Sequence, residues 1–357
     1  MSGQAYATAA LQVFAAALYR AAGMDGEKAA AVARLQVLTD AMGRATHGLA
    51  MAPLYLSELA KGTMTATGEP VVVHARGVTA VWDGHYLPGL WLVERALHQG
   101  MALAADQGMA AVAIRRSHHI GCLAALVKQA ADQGFIAQIH NSDPAGQRVA
   151  PFGGTEALFT PNPTAIGYPG PDHPVLVDTC ASITTTSMTR QKFAEGQLFD
   201  QPWLLDAEGQ PTRDPAVLEH REPRGSLQLV GGQDHGHKGF GMALMIEALS
   251  QGLSGHGRKD APGRCGGEGV VQGIDSPTLA RPGALLGQTG LPAERCRANR
   301  PIDPARPVRL PGDQAAAGIA LAARDGVHYP DLTWNALIRW AEKLGVPLPD
   351  PLPEIPR

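Results

Sequence analysis

Residues 90–140 read LWLVERALHQGMALAADQGMAAVAIRRSHHIGCLAALVKQAADQGFIAQIH. Apolar side chains recur at helical spacing over 90–107 and again over 123–133, whereas 110–114 and 135–140 are short apolar runs of strand length. Helix, strand, helix and strand in succession predict an α/β fold. The handover from the first strand to the second helix carries Ser117-His118-His119-Ile120-Gly121. In open α/β sheets ligands bind outside the carboxyl ends of strands, so His119 stands where a site belongs. Two further polar strand ends are expected, Asn141-Ser142-Asp143 after 135–140 and Asp178 in the strand 175–179.

Upstream, two β-branched runs at 71–75 and 79–82 predict a hairpin. Before them, 5–22, 27–40 and 53–61 carry alanine and leucine at helical spacing. Downstream, strands are expected at 157–160, 175–179 and 269–274. A helix is expected over 238–253, with Met242, Leu244, Met245, Leu249 and Leu253 as its apolar face. The stretch 281–311 is rich in proline, glycine and arginine and is expected to wrap the surface. A last helix over 331–344 has Asp331 as its N-cap, Gly345 as its stop and Pro347 beyond. The resulting fold class is α/β, with a mixed-sheet unit (71–311) inserted between helical N- and C-terminal segments. Residues 1–70 and 312–357 would pack together as one cap.

Composition narrows the partners. The chain has 357 residues, 45% hydrophobic and 18% charged, enough for a large core without disulfide staples. A formal charge of −3 gives no reason to expect nucleic acid or an anionic membrane. Four cysteines, Cys122, Cys180, Cys265 and Cys296, form no CxxC pair and suit a reducing compartment. The N-terminus lacks the basic start of a secretory signal, and no run reaches the ~20 apolar residues of a membrane span. A cytoplasmic protein is expected.

Histidine titrates near neutral pH, with an unperturbed pKa of about 6.5, so it can give or take a proton there. Two motifs place one beside glycine: Thr46-His47-Gly48, and Ser117-His118-His119-Ile120-Gly121. The usual nucleotide fingerprints are absent. No GxGxxG follows a strand and opens a helix, and the stretch from Gly231 to Gly241 resembles a P-loop only loosely. That stretch ends in His237-Lys238-Gly239. Phosphate binding there and a solvated lysine in a glycine-rich loop stand side by side as readings. His235 and His237 form an HxH pair, but in a glycine loop and with no acidic residue at a familiar ligand spacing, so proton transfer is preferred to metal binding.

The ordered set Asp40…Thr46-His47-Gly48…Tyr55, Ser117-x-His119-x-Gly121, Asn162-Pro163, Asp178-x-x-x-Ser182, Gly231-Gly232…His237-Lys238-Gly239 and Pro311-Gly312-Asp313 resembles the malate/L-lactate dehydrogenase type 2 family. That family includes ureidoglycolate, sulfolactate and diketogulonate oxidoreductases and cyclic-imine reductases. The resemblance implies an oxidoreductase that uses NAD or NADP, a cofactor fold distinct from the Rossmann fold, and a homodimer with the site near the subunit interface. It places His47 and His119 at positions of a proton donor or acceptor. Ser142, Asp178, Thr179, Cys180, Lys238, Gly312 and Asp313 fall at cofactor-contacting positions, and Thr46, Met51 and Tyr55 on the substrate side.

Two departures stand out from the resemblance. Many members carry arginine where this chain has Met42 and Met51, and methionine cannot grip a carboxylate with a planar fork. Arg44 is a nearby substitute. The Met51 pocket is accordingly expected to take a 2-oxo acid or cyclic imino acid with a less polar portion. The function expected is hydride transfer between nicotinamide and a small 2-hydroxy/2-oxo acid or cyclic imino acid, with histidine carrying the proton. Two other readings stay open: a metal-dependent lyase or hydrolase built on His47, His119, His235 and His237, and a non-catalytic dinucleotide-binding protein.

Overall fold

The computed structural model describes residues 4–353. A seven-stranded mixed sheet organises it. In chain order its strands are β1 (Val71–Arg76), β2 (Thr79–Asp83), β3 (Met109–Ser117), β4 (Ile136–Ser142), β5 (Pro163–Tyr168), β6 (Val175–Cys180) and β7 (Gly267–Ile274). Across the sheet the order is β1-β2-β3-β7-β4-β5-β6. Only β2 and β3 are parallel neighbours; the other five pairs are antiparallel. It follows that β2, β3, β4 and β6 run the same way. Their last residues, Asp83, Ser117, Ser142 and Cys180, therefore share one edge of the sheet, opposite Gly267, Glu268 and Pro163 of their antiparallel neighbours.

Five helices from the first part of the chain are α1 (Thr8–Ala21), α2 (Gly26–Ala41), α3 (Ala52–Lys61), α4 (Gly89–Gln107) and α5 (Leu123–Asp132). Helix α4 sits close on β7 because glycine meets glycine: a Cβ on Gly273 would lie 3.2 Å from the backbone of Gly100. One apolar core joins these helices to the sheet, with Leu18, Leu35, Leu56, Trp91 and Leu126 packed among Val112, Ile139 and Val271. A second, smaller core gathers Val149, Phe159, Phe199, Leu218 and Leu227. Burying such side chains stabilises by about 1.5–3 kcal/mol each.

Later in the chain come α6 (His237–Glu247), α7 (Ala284–Arg297), α8 (Asp313–Asp325) and α9 (Asp331–Leu344). A short strand at Ala5–Tyr6 pairs antiparallel with Val327–His328. Beside that ladder the Tyr6 ring stacks on Trp334 of α9 at 4.2 Å. Among the described residues no helix is long and apolar enough to cross a membrane.

Several expectations are corrected. Residues 5–6 form a strand, not the start of a helix, because Val327–His328 offers them a partner. Residues 157–160 form no strand: Phe159 makes an isolated bridge to Val149, and Pro161 removes a donor just beyond. Within 281–311, where the sequence pattern names no element, α7 occupies nearly half of the stretch, entered through Gly283 at φ 78° despite the internal Pro292. Asp331 is the first helical residue of α9, and Pro330 takes the N-cap position. Only part of the expected apolar face of α6 turns inward, with Met242 packed against the second core. Leu244, Met245 and, just past the helix, Leu253 are 47–52% exposed, while Gly239, Ala243 and Ile246 face inward. The small residues allow a tight approach: a Cβ on Gly239 would lie 2.6 Å from Val230 N and 2.7 Å from Ala181 O.

Candidate active site

The turn between α2 and α3 carries Thr46-His47-Gly48, and a buried carboxylate fixes it. Asp40, near the end of α2, accepts the Leu49 N–H and the Tyr329 O–H, each at 2.9 Å. Burial pushes the Asp40 carboxyl up to about 7, against the pull of those two donors. Glycine is required beside it, because a Cβ on Gly48 would lie 1.8 Å from Asp40 Oδ1. On this turn the Thr46 hydroxyl lies 2.9 Å from His47 Nδ1.

The second histidine motif leaves the carboxyl end of β3 and leads into α5. The His47 and His119 rings face each other at 6.2 Å between centroids, inclined by 22°. Tyr55 of α3 reaches over with its hydroxyl 2.7 Å from His119 Nδ1 and donates to the His119 carbonyl at 3.2 Å. The Gly121 N–H also points at His119 Nδ1, at 3.3 Å. An amide can only donate, so in this arrangement Nδ1 accepts and Nε2 carries the hydrogen.

Burial keeps these rings neutral. His119 is pushed down to about 3 by burial first, then by the neighbouring His47 and His118. His47 is lowered by burial, opposed by the nearby Asp178 carboxylate. His118, just past the end of β3, packs its ring edge-on against Tyr55 at 5.9 Å between centroids. It is fully buried, lowered to about 4, and sits 3.9 Å from Glu58 Oε2.

Asp178 connects the histidines to a large cavity. It accepts the Ala124 N–H at 3.0 Å in the first turn of α5 and lies 3.7 Å from Cys122 Sγ. Beyond it opens a cavity of about 1090 Å³, whose lining includes Met42, Arg44, Asp178, Arg300, Arg309 and Gly312. Gly312, at φ 110°, packs so closely that a Cβ would lie 2.5 Å from Pro174 O. Asp313, next to it, is held by Arg297 at 2.6 Å and His173 at 3.0 Å, and Arg297 keeps its carboxyl low.

His47, His119, Thr46, Tyr55 and Asp178 are thus brought together, and Gly312 shares a cavity wall with Asp178. Other expected residues are placed differently. Ser142 is fully buried, 2.7 Å from the Ser250 hydroxyl and accepting from Gln251 Nε2 at 3.0 Å. Met51 is half-buried and packs against the main core. Thr179 is exposed, and the Cys180 thiol, raised by burial, lies 3.2 Å from Ser182 O. Lys238 lies exposed in the first turn of α6, beside a glycine seated on Ala181 just past β6. The stretch from Gly231 is helical rather than a loop, with Gly232–His235 forming one turn before α6.

The His235 and His237 rings contact each other at 6.0 Å. Among the described residues no three His, Cys, Asp or Glu side chains converge as a metal requires. Tyr329 and the arginines of 300–309 enter the site with no signal in the local pattern.

The residues fit a nicotinamide dinucleotide. The space is at the upper end of ligand-pocket volumes, roughly 300–1,000 Å³. Its walls offer exposed guanidinium groups for phosphate. Fold and site together define an α/β protein with two facing buried histidines beside a large cavity whose walls carry arginines.

Residues 6–338 match the model of the malate/L-lactate dehydrogenase family, and the chain belongs to that family. It is therefore a dehydrogenase. It is 29% identical over 357 residues to hydroxycarboxylate dehydrogenase B of Escherichia coli (strain K12), covering 97% of this chain and 96% of the relative. It is 32% identical over 248 residues to the (2R)-3-sulfolactate dehydrogenase (NADP(+)) of Chromohalobacter salexigens, covering 68% and 70%. The structure of malate dehydrogenase from Entamoeba histolytica superposes with a TM-score of 0.91 at 23% identity, over 97% of this chain and 99% of that one, and so shares the fold.

Proposed function

We propose that this chain uses NAD or NADP to interconvert a small 2-hydroxy acid and its 2-oxo acid, or a cyclic imino acid analogue. The observation that carries the reading is the facing His47–His119 pair, joined through Asp178 to a dinucleotide-sized cavity. When bound, the nicotinamide supplies or receives the hydride.

The protein handles the proton. In the oxidative direction His119 acts in the tautomer with its hydrogen on Nδ1 and takes the substrate hydroxyl proton on the bare Nε2. Tyr55 then accepts the Nδ1–H across 2.7 Å and turns its own hydrogen to the His119 carbonyl, 3.2 Å away. In the reductive direction the same imidazolium returns the proton to the oxo oxygen. In the other neutral tautomer the hydrogen is on Nε2 and the phenol hydrogen points at Nδ1, so exchanging the two moves a ring proton as well as turning the phenol hydroxyl. A substrate carboxylate beside the rings favours the imidazolium and offsets the lowering by burial. Thr46 orients His47, and Arg44 is the cation nearest that turn in sequence.

The mixed sheet, rather than a parallel Rossmann sheet, would hold the dinucleotide on residues 71–311. Residues 1–70 with 312–357 would form the helical cap and dimerisation unit of a homodimer. The four cysteines are free, which fits a reducing, cytoplasmic setting.

The test is thermal unfolding with NADH and NADPH, combined with turnover of His119→Asn on 2-hydroxy acids. The variant should keep the cofactor-induced rise in Tm and lose about 10²–10⁴-fold in kcat. Undiminished turnover would remove His119 from the proton path. No rise with either dinucleotide would remove the cofactor reading.

A further inference from the structure

Four arginines line the cavity beyond Asp178, and three of them follow one another on the segment 299–311. Arg44, Arg300, Arg306 and Arg309 all line it, against two carboxylates, Asp178 and Asp303. All four arginines are exposed, and none of their guanidinium groups has a hydrogen-bond or ion-pair partner among the described residues. Two other arginines are paired by contrast. Arg297, on the helix before the strap, is held by Asp313 and Asp172, and Arg258 by Glu247. Neither cavity carboxylate forms an ion pair with any of the four among the described residues. Asp178 is engaged by the first turn of α5, and Asp303 caps its own turn by accepting the Ala305 N–H at 2.9 Å.

The strap that presents three of these arginines is stiffened. Arg300 and Arg306 each precede a proline, Pro301 and Pro307, and Pro304 and Pro311 complete the run. Proline fixes its own φ and holds the preceding residue extended, so little backbone freedom is left to lose on binding. A preorganised group of unpaired guanidinium forks is suited to a phosphate monoester, which offers several oxygens and close to two negative charges. Of the four, Arg44 is the one whose charge acts on His47; Arg300, Arg306 and Arg309 lie on the proline-rich segment.

We propose that this cavity takes the 2′-phosphorylated adenosine end of NADP(H), with Arg300, Arg306 and Arg309 meeting the 2′-phosphate, so that the enzyme selects NADP(H) over NAD(H). The inference rests on the dehydrogenase reading above and chooses between its two cofactors.

Calorimetric titration of the full chain with adenosine 2′,5′-bisphosphate, adenosine 5′-monophosphate, NADPH and NADH tests it without turnover. The 2′-phosphorylated member of each pair should bind on the order of tenfold tighter or more. Replacing all three strap arginines (Arg300→Gln, Arg306→Gln, Arg309→Gln) should erase that preference and leave NADH and the monophosphate within about twofold. The three side chains make no internal contact, so folding should be unaffected. Circular dichroism and the single Arg309→Gln variant check this. Equal or tighter binding of NADH and the monophosphate overturns the proposal, as does a preference that survives the triple change. A bisphosphate preference with neither dinucleotide bound would keep the phosphate cage and overturn the dehydrogenase reading. Binding of none of the four would overturn both.

Discussion

Replacing Asp40 with asparagine should stabilise the protein at alkaline pH and leave it unchanged in acid. The buried Asp40 carboxyl ionises at about 7 in the folded chain, against 3.8 for the free group. Between those values the folded state holds a proton that the unfolded state has released. Stability from this group is therefore fully present below about pH 4, falls as pH rises, and is lost above about pH 7. At about 1.4 kcal/mol per pH unit, the whole window is worth at most about 4 kcal/mol, and the part between pH 5 and 8 about 3 kcal/mol. Asparagine keeps one oxygen for the Leu49 N–H and the Tyr329 O–H and cannot ionise. Its NH2 falls where Asp40 Oδ1 already lacks a partner, as a protonated carboxyl would, so the two proteins should match in acid. Urea midpoints of both proteins at pH 5 and pH 8, at one protein concentration, measure the difference. His47, His118 and His119 titrate equally in both and cancel. Parallel stability curves for wild type and Asp40→Asn would refute the reasoning.

Three other outcomes follow from the same geometry. Gly48→Ala drives a Cβ into Asp40 Oδ1. It should cost about 2 kcal/mol or more in stability and lower kcat by displacing His47, and a Tm within a degree of wild type would show that the turn can yield. Tyr55→Phe removes the hydroxyl shared by His119 Nδ1 and its carbonyl, so kcat should fall about tenfold or more with little change in cofactor affinity. Stopped-flow turnover and cofactor titration separate the two. Met51→Arg restores a carboxylate fork beside the histidine turn and should reorder malate, lactate and a cyclic imino acid by kcat/KM; an unchanged ranking would place Met51 outside the substrate pocket.

The strands and helices with strong local periodicity were legible in the sequence, and the long-range choices were not. The 90–140 stretch folds into α4, β3, α5 and β4 within a few residues of the boundaries its pattern predicts. That β7 slots between β3 and β4 depends on contacts across more than a hundred residues, which periodicity does not encode. Helix α6 misleads because Leu244 and Met245 face out while Gly239 and Ala243 let it dock beside Ile246, so counting hydrophobes misplaces the face. In the site, His47 and His119 were marked by their glycine neighbours, and each glycine does admit a close contact: Gly48 with Asp40, Gly121 with the Leu90 side chain. The arginines of 300–309 read as surface polarity, since a cavity made by distant segments leaves no trace in a ten-residue window.

The ladder between Ala5–Tyr6 and Val327–His328 also sets a timetable for synthesis. A ribosome makes α1, α2 and both histidine motifs early, yet Tyr329, which donates to Asp40 across 289 positions, arrives near the end. Trp334, the stacking partner of Tyr6, comes five residues later still. The nascent chain must hold its first helices with an unfilled seam until then, a period in which exposed apolar surface invites chaperones or aggregation. A translation product stopped before residue 327 would contain both histidine motifs and lack the ladder partner, phenol and indole that complete the packing around them.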